Sequence, residues 1–433
     1  MQMLSFCCIL RRSIGISKHC NSPKPASRAG GRMISSDTCT KWCSLLATVL
    51  LATLLALAGC GGTSTIKPPP GGPPGGGGSS AAPEFVYALN GSAGPAVAGF
   101  RIDPTTGFLT PLLGSPFSLG LPGSVSVSAM AATPLTAFFY VADWFDKQIV
   151  VLRADANSGL LTQMATVSVP TLESSSQIRV DPSGKILFVT DPNALRILAF
   201  TINSDGTLTA VPGSPFTTLR PVLKLTIDAA SHFLFGGEEN TVTGFTIGSD
   251  GSLTSTTGSP LTVRIGLQNP GQGPAGVRAV IDPSARFLYV VDESFPRVFV
   301  YTIGGERTLT PVSGSPFTIN IAGVAADITP DGKFLFVGGF GLPFVDAFAI
   351  DTNTGALHPV LGSPFPNGTG GSQIADLAVD PSGKFVVTAN EQKTNISLFS
   401  IGANGALTMV PGSPFPTAPQ LISGSPSMVV VTR

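Results

Sequence analysis

From residue 84 onward, one arrangement of apolar and polar positions keeps returning. It runs as an apolar-aromatic strand, a polar turn, a second strand, an Asx/Gly turn, and a third strand ending in Gly-Ser-Pro-Phe. The core strand of this block reads FVYALN (85–90), FFYVAD (138–143), LFVTD (187–191), FLFGGE (233–238), FLYVVD (287–292), FLFVGG (334–339) and FVVTAN (385–390). Its marker residues are Tyr87, Tyr140, Phe188, Phe235, Tyr289, Phe336 and Val387, spaced 47 to 54 residues apart. A period near 50 leaves room for four short strands per unit.

The turns support the same unit. Asp103-Pro-Thr-Thr-Gly, Asn157-Ser-Gly, Ser204-Asp-Gly, Ser249-Asp-Gly, Asn353-Thr-Gly and Ala403-Asn-Gly separate the second and third strands. Such turns supply the positive φ that tight hairpins need. Gly-Ser-Pro-Phe begins at Gly114, Gly213, Gly314, Gly362 and Gly412, with Gly258-Ser-Pro-Leu as a variant. Proline has no N–H for the ladder, so it should stop the strand. The Phe after it is expected to pack between neighbouring units.

A fourth strand precedes most core strands and ends in a turn: IRVDPSG (178–184), LTIDAAS (225–231), AVIDPSA (279–285), ADITPDG (326–332) and LAVDPSG (377–383). No such strand precedes Phe85, whereas a spare one, MVVVT (428–432), follows the last unit. The pattern predicts an all-β, seven-bladed β-propeller over residues 84–433. The spare C-terminal strand would become the inner strand of the first blade, closing the ring and removing its open edges.

The first 83 residues read differently. LLATVLLATLLALA (45–58) is an apolar run of signal-peptide length, preceded by Lys41. It leads into Leu57-Ala58-Gly59-Cys60, which resembles the bacterial lipobox. That resemblance implies a diacylglyceryl group on Cys60 and a mature chain that starts there. Residues 60–83 then form a lipidated Cys and a Gly/Pro-rich tether. The expected location is the bacterial cell envelope, with the lipid on Cys60 holding the exported domain to a membrane.

Composition narrows the function classes. All six cysteines lie at or before Cys60, so the folded domain has neither a disulfide scaffold nor a thiol nucleophile. Seven of the 25 basic residues also lie there, with one acid, Asp37. The remainder carries about −6, which offers no footprint for nucleic acid.

The DPSG-(K/R)-F-L-(Y/F)-V strands, the GALT/GTLT strands and the closing GSPSMVVV resemble the seven-bladed lactonase family, typified by 6-phosphogluconolactonase of the propeller type. The resemblance covers about residues 84–433 and implies sugar-lactone hydrolysis. It also implies His and Arg near the start of inner strands, five residues before the Asp of DPSG. Here those positions hold Ser176, Leu223, Val277, Val324 and Ala375, and none matches. The domain's two histidines, His232 and His358, fall beside a core strand and on an outer strand.

Two candidate constellations remain. The first is the acidic set after the core strands: Asp143, Asp191, Glu238 and Asp292. Converging carboxylates there could bind Ca²⁺ or a sugar, or each could shape its own turn. No Asp-x-Asp-x-Asp-Gly loop points to a metal, and no metal or cofactor is expected. The second is one face of the inner strands, carrying Gln177, Arg179, Lys224, Arg278, Asp327 and Asp376. Those residues could contact an anionic or hydroxylated ligand at the channel, or form an ion-pair network.

The first functional expectation is a membrane-tethered envelope module that binds a saccharide, a small molecule or a protein. The alternative is a sugar-lactone hydrolase. The long, Arg/Ser-rich segment before Met33 fits a signal poorly, and MISSDTCTKWC is a more natural start. N-terminal sequencing of the unprocessed precursor should therefore begin at Met33; a sequence beginning at Met1 would overturn that assignment.

Overall fold

The computed structural model describes residues 83–433, except 92–93, 122–126, 128, 135–136, 239, 264–276, 306–307, 340, 371–372, 418–425 and 433. The leader, the tether and Cys60 lie outside the described residues. Within them the fold is seven antiparallel sheets, the blades of one β-propeller. From the centre outward, each blade has an inner strand, a core strand, a third strand (the second of the sequence block) and an outer strand (the one that leads into Gly-Ser-Pro-Phe). In blade 3 these are Ile178–Val180, Ile186–Asp191, Arg196–Ile202 and Leu208–Ala210.

The Gly-Ser-Pro-Phe motif acts differently from a terminator. The outer strand halts before it and then resumes as a two-residue segment, such as Phe216–Thr217, that pairs with the same third strand. This interrupted outer strand recurs in six blades. The motif's Ser hydroxyl accepts a third-strand N–H across the break at 2.8 to 3.0 Å (Ser115, Ser214, Ser259, Ser315, Ser363 and Ser413). Blade 2 lacks the motif, and its outer strand, Leu161–Ser168, is continuous.

The turn from inner to core strand is also built by a repeated side chain. Asp181, Asp228, Asp282 and Asp380 each accept the N–H groups four and five residues on, at 2.5 to 2.8 Å. Where Thr133 and Thr329 replace the acid, their hydroxyls take the second of those bonds. The inner strand of blade 2, Ala129–Ala132, has no DPSG-like signature and escapes sequence reading.

The core is divided among the blade interfaces. Seven buried apolar clusters each combine side chains of two adjacent blades. Phe117, Phe216, Phe317, Phe365 and Phe415 of the repeated motif pack in these clusters, as their apolar character predicts. One contact recurs at six interfaces. The first core-strand side chain of a blade fills the space above a glycine in the outer hairpin of the next. The pairs are Phe85–Gly159, Phe138–Gly206, Ile186–Gly251, Phe287–Gly355, Phe334–Gly405 and Phe385–Gly107. At three interfaces a core-strand tyrosine adds a hydroxyl bond to the same glycine's carbonyl: Tyr87 to Gly159 (2.7 Å), Tyr140 to Gly206 (3.0 Å) and Tyr289 to Gly355 (3.2 Å).

The ring closes as the spare strand implies. Pro426–Thr432 pairs antiparallel with Phe85–Asn90 and becomes the inner strand of blade 1. The closing strand buries Met428 and Val429 and hydrogen-bonds along the whole first core strand. A chain ending at Ser427 would leave that edge bare, and its melting temperature should fall by roughly 10 °C or more; an unchanged melt would refute this closure. At Gly159 φ is +72°, and a Cβ would lie 2.6 Å from Phe85 Cδ1. Gly159→Ala should cost about 2–4 kcal/mol from strain and overpacking together, read from the shift of the urea midpoint.

Candidate functional site

The inner strands place their side chains in two tiers around the axis. Opposite the fifth core-strand residue stand Met428, Ala129, Lys224, Arg278, Ala325 and Asp376 in blades 1, 2, 4, 5, 6 and 7. Gln177 takes this place in blade 3, where its carbonyl accepts Thr190 N–H. Opposite the third core-strand residue stand Val430, Ala131, Arg179, Thr226, Val280, Asp327 and Ala378. The polar stripe expected from the sequence is therefore a real feature, confined to blades 3 to 7. Blades 1 and 2 present only Met, Val and Ala.

Acceptors in this stripe stitch inner strands together at four junctions. Gln177 Oε1 accepts Leu225 N–H, from blade 3 to blade 4. Asp327 Oδ2 accepts Val379 N–H at 2.9 Å, from blade 6 to blade 7. Asp376 Oδ2 accepts Val429 N–H at 3.2 Å, from blade 7 to blade 1. Met428 Sδ lies 3.1 Å from Met130 N, continuing the seam to blade 2. These bonds satisfy backbone donors that would otherwise be buried without partners.

Cations cannot make such bonds, and they sit where the seam lacks an acceptor. Arg278 Nη2 lies 3.7 Å from Asp376 Oδ1, and both side chains are almost fully buried. Arg179 makes no side-chain hydrogen bond or ion pair among the described residues, and its Nε is buried without an acceptor. Gln177 Nε2 is likewise orphaned. Burial depresses the Arg179 guanidinium, and Arg278 depresses it further, against the pull of Asp376 and Asp327. Burial and Arg278 likewise push the Lys224 ammonium down, partly offset by Asp376 and Glu293. Burial raises the Asp327 carboxyl, although its backbone bonds from Val379 and Ile328 and the nearby Arg179 and Arg278 oppose the shift.

Arg179, Arg278, Asp327 and Asp376 line a cavity of about 230 Å³ on the axis. Its remaining wall is apolar, from Met130, Ala131 and Ala132 and from the closing strand. A larger hollow, about 560 Å³, lies outside blade 2 against Asp155, Asn157 and Ser158. There the one carboxylate, Asp155, is spent on its own turn. The axial cavity is the better candidate because it gathers opposed charges from four blades.

The acidic set does not join it. Asp143, Asp191, Glu238 and Asp292 are fully buried, each at the end of its own core strand. Asp143 accepts Asp146 N–H and Gln148 Nε2. Asp191 takes Ser174 N–H at 2.9 Å and two bonds from Arg196. Asp292 takes Ser294 and Phe295 N–H groups and Arg297 Nε. Glu238 accepts the hydroxyls of Thr241 and Thr243. A spacing of five residues, Asp191 to Arg196 and Asp292 to Arg297, was the signal for this turn role, because it makes each pair cross-strand neighbours. His232 and His358 are exposed, one directly before a core strand and the other on an outer strand. Among the described residues no group of three or more His, Cys, Asp or Glu is arranged to hold a metal.

Seven four- and five-stranded blades around a charged axial cavity define a β-propeller. Residues 100–264 and 169–419 match the family described as lactonase, 7-bladed beta-propeller, and the chain belongs to that family. It is 25% identical over 281 residues to the 6-phosphogluconolactonase of Bacillus subtilis, covering 62% of this chain and 78% of that one. It is 25% identical over 315 residues to the 6-phosphogluconolactonase of Erwinia tasmaniensis, covering 71% and 88%. Among solved structures, one from Bacteroides uniformis superposes with a TM-score of 0.65 at 17% identity, covering 82% of this chain and 100% of that one. The periplasmic gluconolactonase of Pseudomonas aeruginosa superposes with a TM-score of 0.61 at 18% identity, covering 82% and 99%.

Proposed function

We propose that this propeller hydrolyses a sugar lactone in its axial cavity, on the exported side of a membrane to which Cys60 tethers it. The observation that carries the reading is the pairing of a buried carboxyl, Asp327, with the Arg278–Asp376 ion pair inside one sugar-sized space. Family membership supplies the reaction class. The curated relatives are named for a phosphorylated lactone. An unphosphorylated aldonolactone suits the proposed location, and a periplasmic gluconolactonase of the same fold offers a precedent.

The chemistry divides among three side chains. Asp327, whose burial lifts its basicity, takes a proton from water. The water oxygen attacks the lactone carbonyl carbon, and the guanidinium of Arg278 faces the developing oxyanion. Asp376, 3.7 Å away, holds that guanidinium in place. Collapse breaks the bond from the carbonyl carbon to the ring oxygen, which takes the proton back from Asp327. The product is an open hydroxy acid, released as a carboxylate and a proton. Asp327 thus stands in for the histidine that the family places elsewhere on the inner strands.

Turnover of glucono-1,5-lactone, corrected for spontaneous opening, tests this. Asp327→Asn and Arg278→Ala should each lower kcat/KM by roughly 100-fold or more. The base must be ionised to act, so the wild-type rate should rise with pH through a midpoint above the usual carboxylate range. That limb should disappear in Asp327→Asn. A wild-type rate in Asp327→Asn would remove it as the base. No turnover on any lactone would favour the envelope-binding role, which the missing family His and Arg positions also support.

A further inference from the structure

Blades 1 and 4 each carry a glycine at the centre of the third strand, Gly99 and Gly244. Each donates its N–H to the serine of its own Gly-Ser-Pro motif, Ser115 or Ser259. In blade 1 the space above the glycine is filled. Leu112 Cδ1 and Phe117 Cε2 both lie 2.9 Å from where a Cβ would stand. Blade 4 departs from the repeat twice at this spot, with Thr256 in place of Leu112 and Leu261 in place of Phe117. The other motif-bearing blades hold Val211, Val312, Val360 and Val410 at the first place and Phe at the second.

The neighbouring junction departs as well. Among the described residues, blade 4 on blade 5 is the one interface without a glycine seat. The sequence puts Arg307 where the other outer hairpins hold that glycine. Between these two blades lies a hollow of about 190 Å³, lined by Phe235, Val242, Gly244, Thr256, Leu261 and Leu309 among others. Among the described residues no charged side chain lines it, so an ion would find no partner there. Blade 1 shows the shape that fits, a phenyl ring over the glycine. An apolar cavity of about 150 Å³ holds benzene, which leaves room here for a ring with a small substituent. Thr256 Oγ1 lies 2.6 Å from the Cβ place of Gly244 and makes no hydrogen bond among the described residues. It is the polar group open to such a substituent.

We propose that the hollow between blades 4 and 5 is a binding site for a small neutral phenol. The ring takes the place that Phe117 fills in blade 1, and the phenolic hydroxyl donates to Thr256 Oγ1. None of the residues lining this hollow lines the axial cavity, so the site stands or falls apart from the lactone reading.

Ligand-observed NMR titration of the purified full chain tests this with p-cresol and toluene, which differ only by the hydroxyl. p-Cresol should bind saturably with a Kd of about 1 mM or below. Leu261→Phe and Thr256→Leu each copy a blade 1 residue into the hollow. Each should weaken both probes at least about tenfold, with a melting temperature equal to or above that of the wild type. Thr256→Val restores the residue of four other blades. It should weaken p-cresol by about three- to tenfold and leave toluene no weaker, and it decides the matter should a filled variant misfold. No saturation by p-cresol up to about 10 mM, or undiminished binding in filled variants with native melts, would overturn the site. Binding that survives in those variants but is lost in Arg278→Ala would put the ring in the axial cavity and overturn it too. An unchanged p-cresol affinity in Thr256→Val would reject the phenol as the ligand.

Discussion

Six of the seven blades rest on the next through an aromatic or aliphatic side chain seated over a glycine, and the ring depends on that seat. A seven-fold ring tolerates little error, because a displacement at one interface accumulates around the circle. Phe385 over Gly107 joins the last blade to the first with the same contact used at five other junctions. Closure therefore needs no special device at that interface beyond the strand exchange within blade 1. Any residue with a Cβ at Gly159 would strike both Phe85 and Leu112, pushing apart two sheets whose apolar clusters are already close-packed.

With the blades held this way, the inner strands converge and their backbone donors need partners. Gln177, Asp327, Asp376 and the Met428 sulfur answer that need at four junctions. The same carboxylates then create a local requirement for cations, which Arg278 meets toward Asp376. Structure and chemistry overlap here. Asp327 is at once a stitch between blades 6 and 7 and the carboxyl whose burial raises its proton affinity.

Most of the fold could be read from the chain because its signals are local. Alternation, hairpin turns and Gly-Ser-Pro-Phe each act within a few residues, and the spare strand at 428–432 needed only counting. The motif's meaning was harder. Proline does interrupt the outer strand, but the Ser hydroxyl bridges the gap and the strand resumes, a bond between residues 15 or 16 apart. The inner strand of blade 2 escapes such reading because alanines replace the branched residues and no DPSG-like turn follows it. The channel's polar stripe was visible as alternation. Its partition into stitching acceptors and free cations was not, because that depends on which blade follows which.

Symmetry separates the two sets of charges that sequence reading left side by side. The acids at core-strand ends recur in blades 2 to 5, each bound by side chains of its own turn or next strand, and such a recurring feature serves the blade that carries it. Asp191 with Arg196 and Asp292 with Arg297 are the same turn built twice. The channel charges obey no such repeat. At one tier the order around the ring is Met, Ala, Gln, Lys, Arg, Ala, Asp, and at the other it is Val, Ala, Arg, Thr, Val, Asp, Ala. The seam accounts for the carboxylates of blades 6 and 7, and Asp376 accounts for Arg278, but the repeated motif gives no reason for the cations of blades 3 and 4. A single ligand that lacks seven-fold symmetry does supply such a reason, since each of its groups meets a different blade.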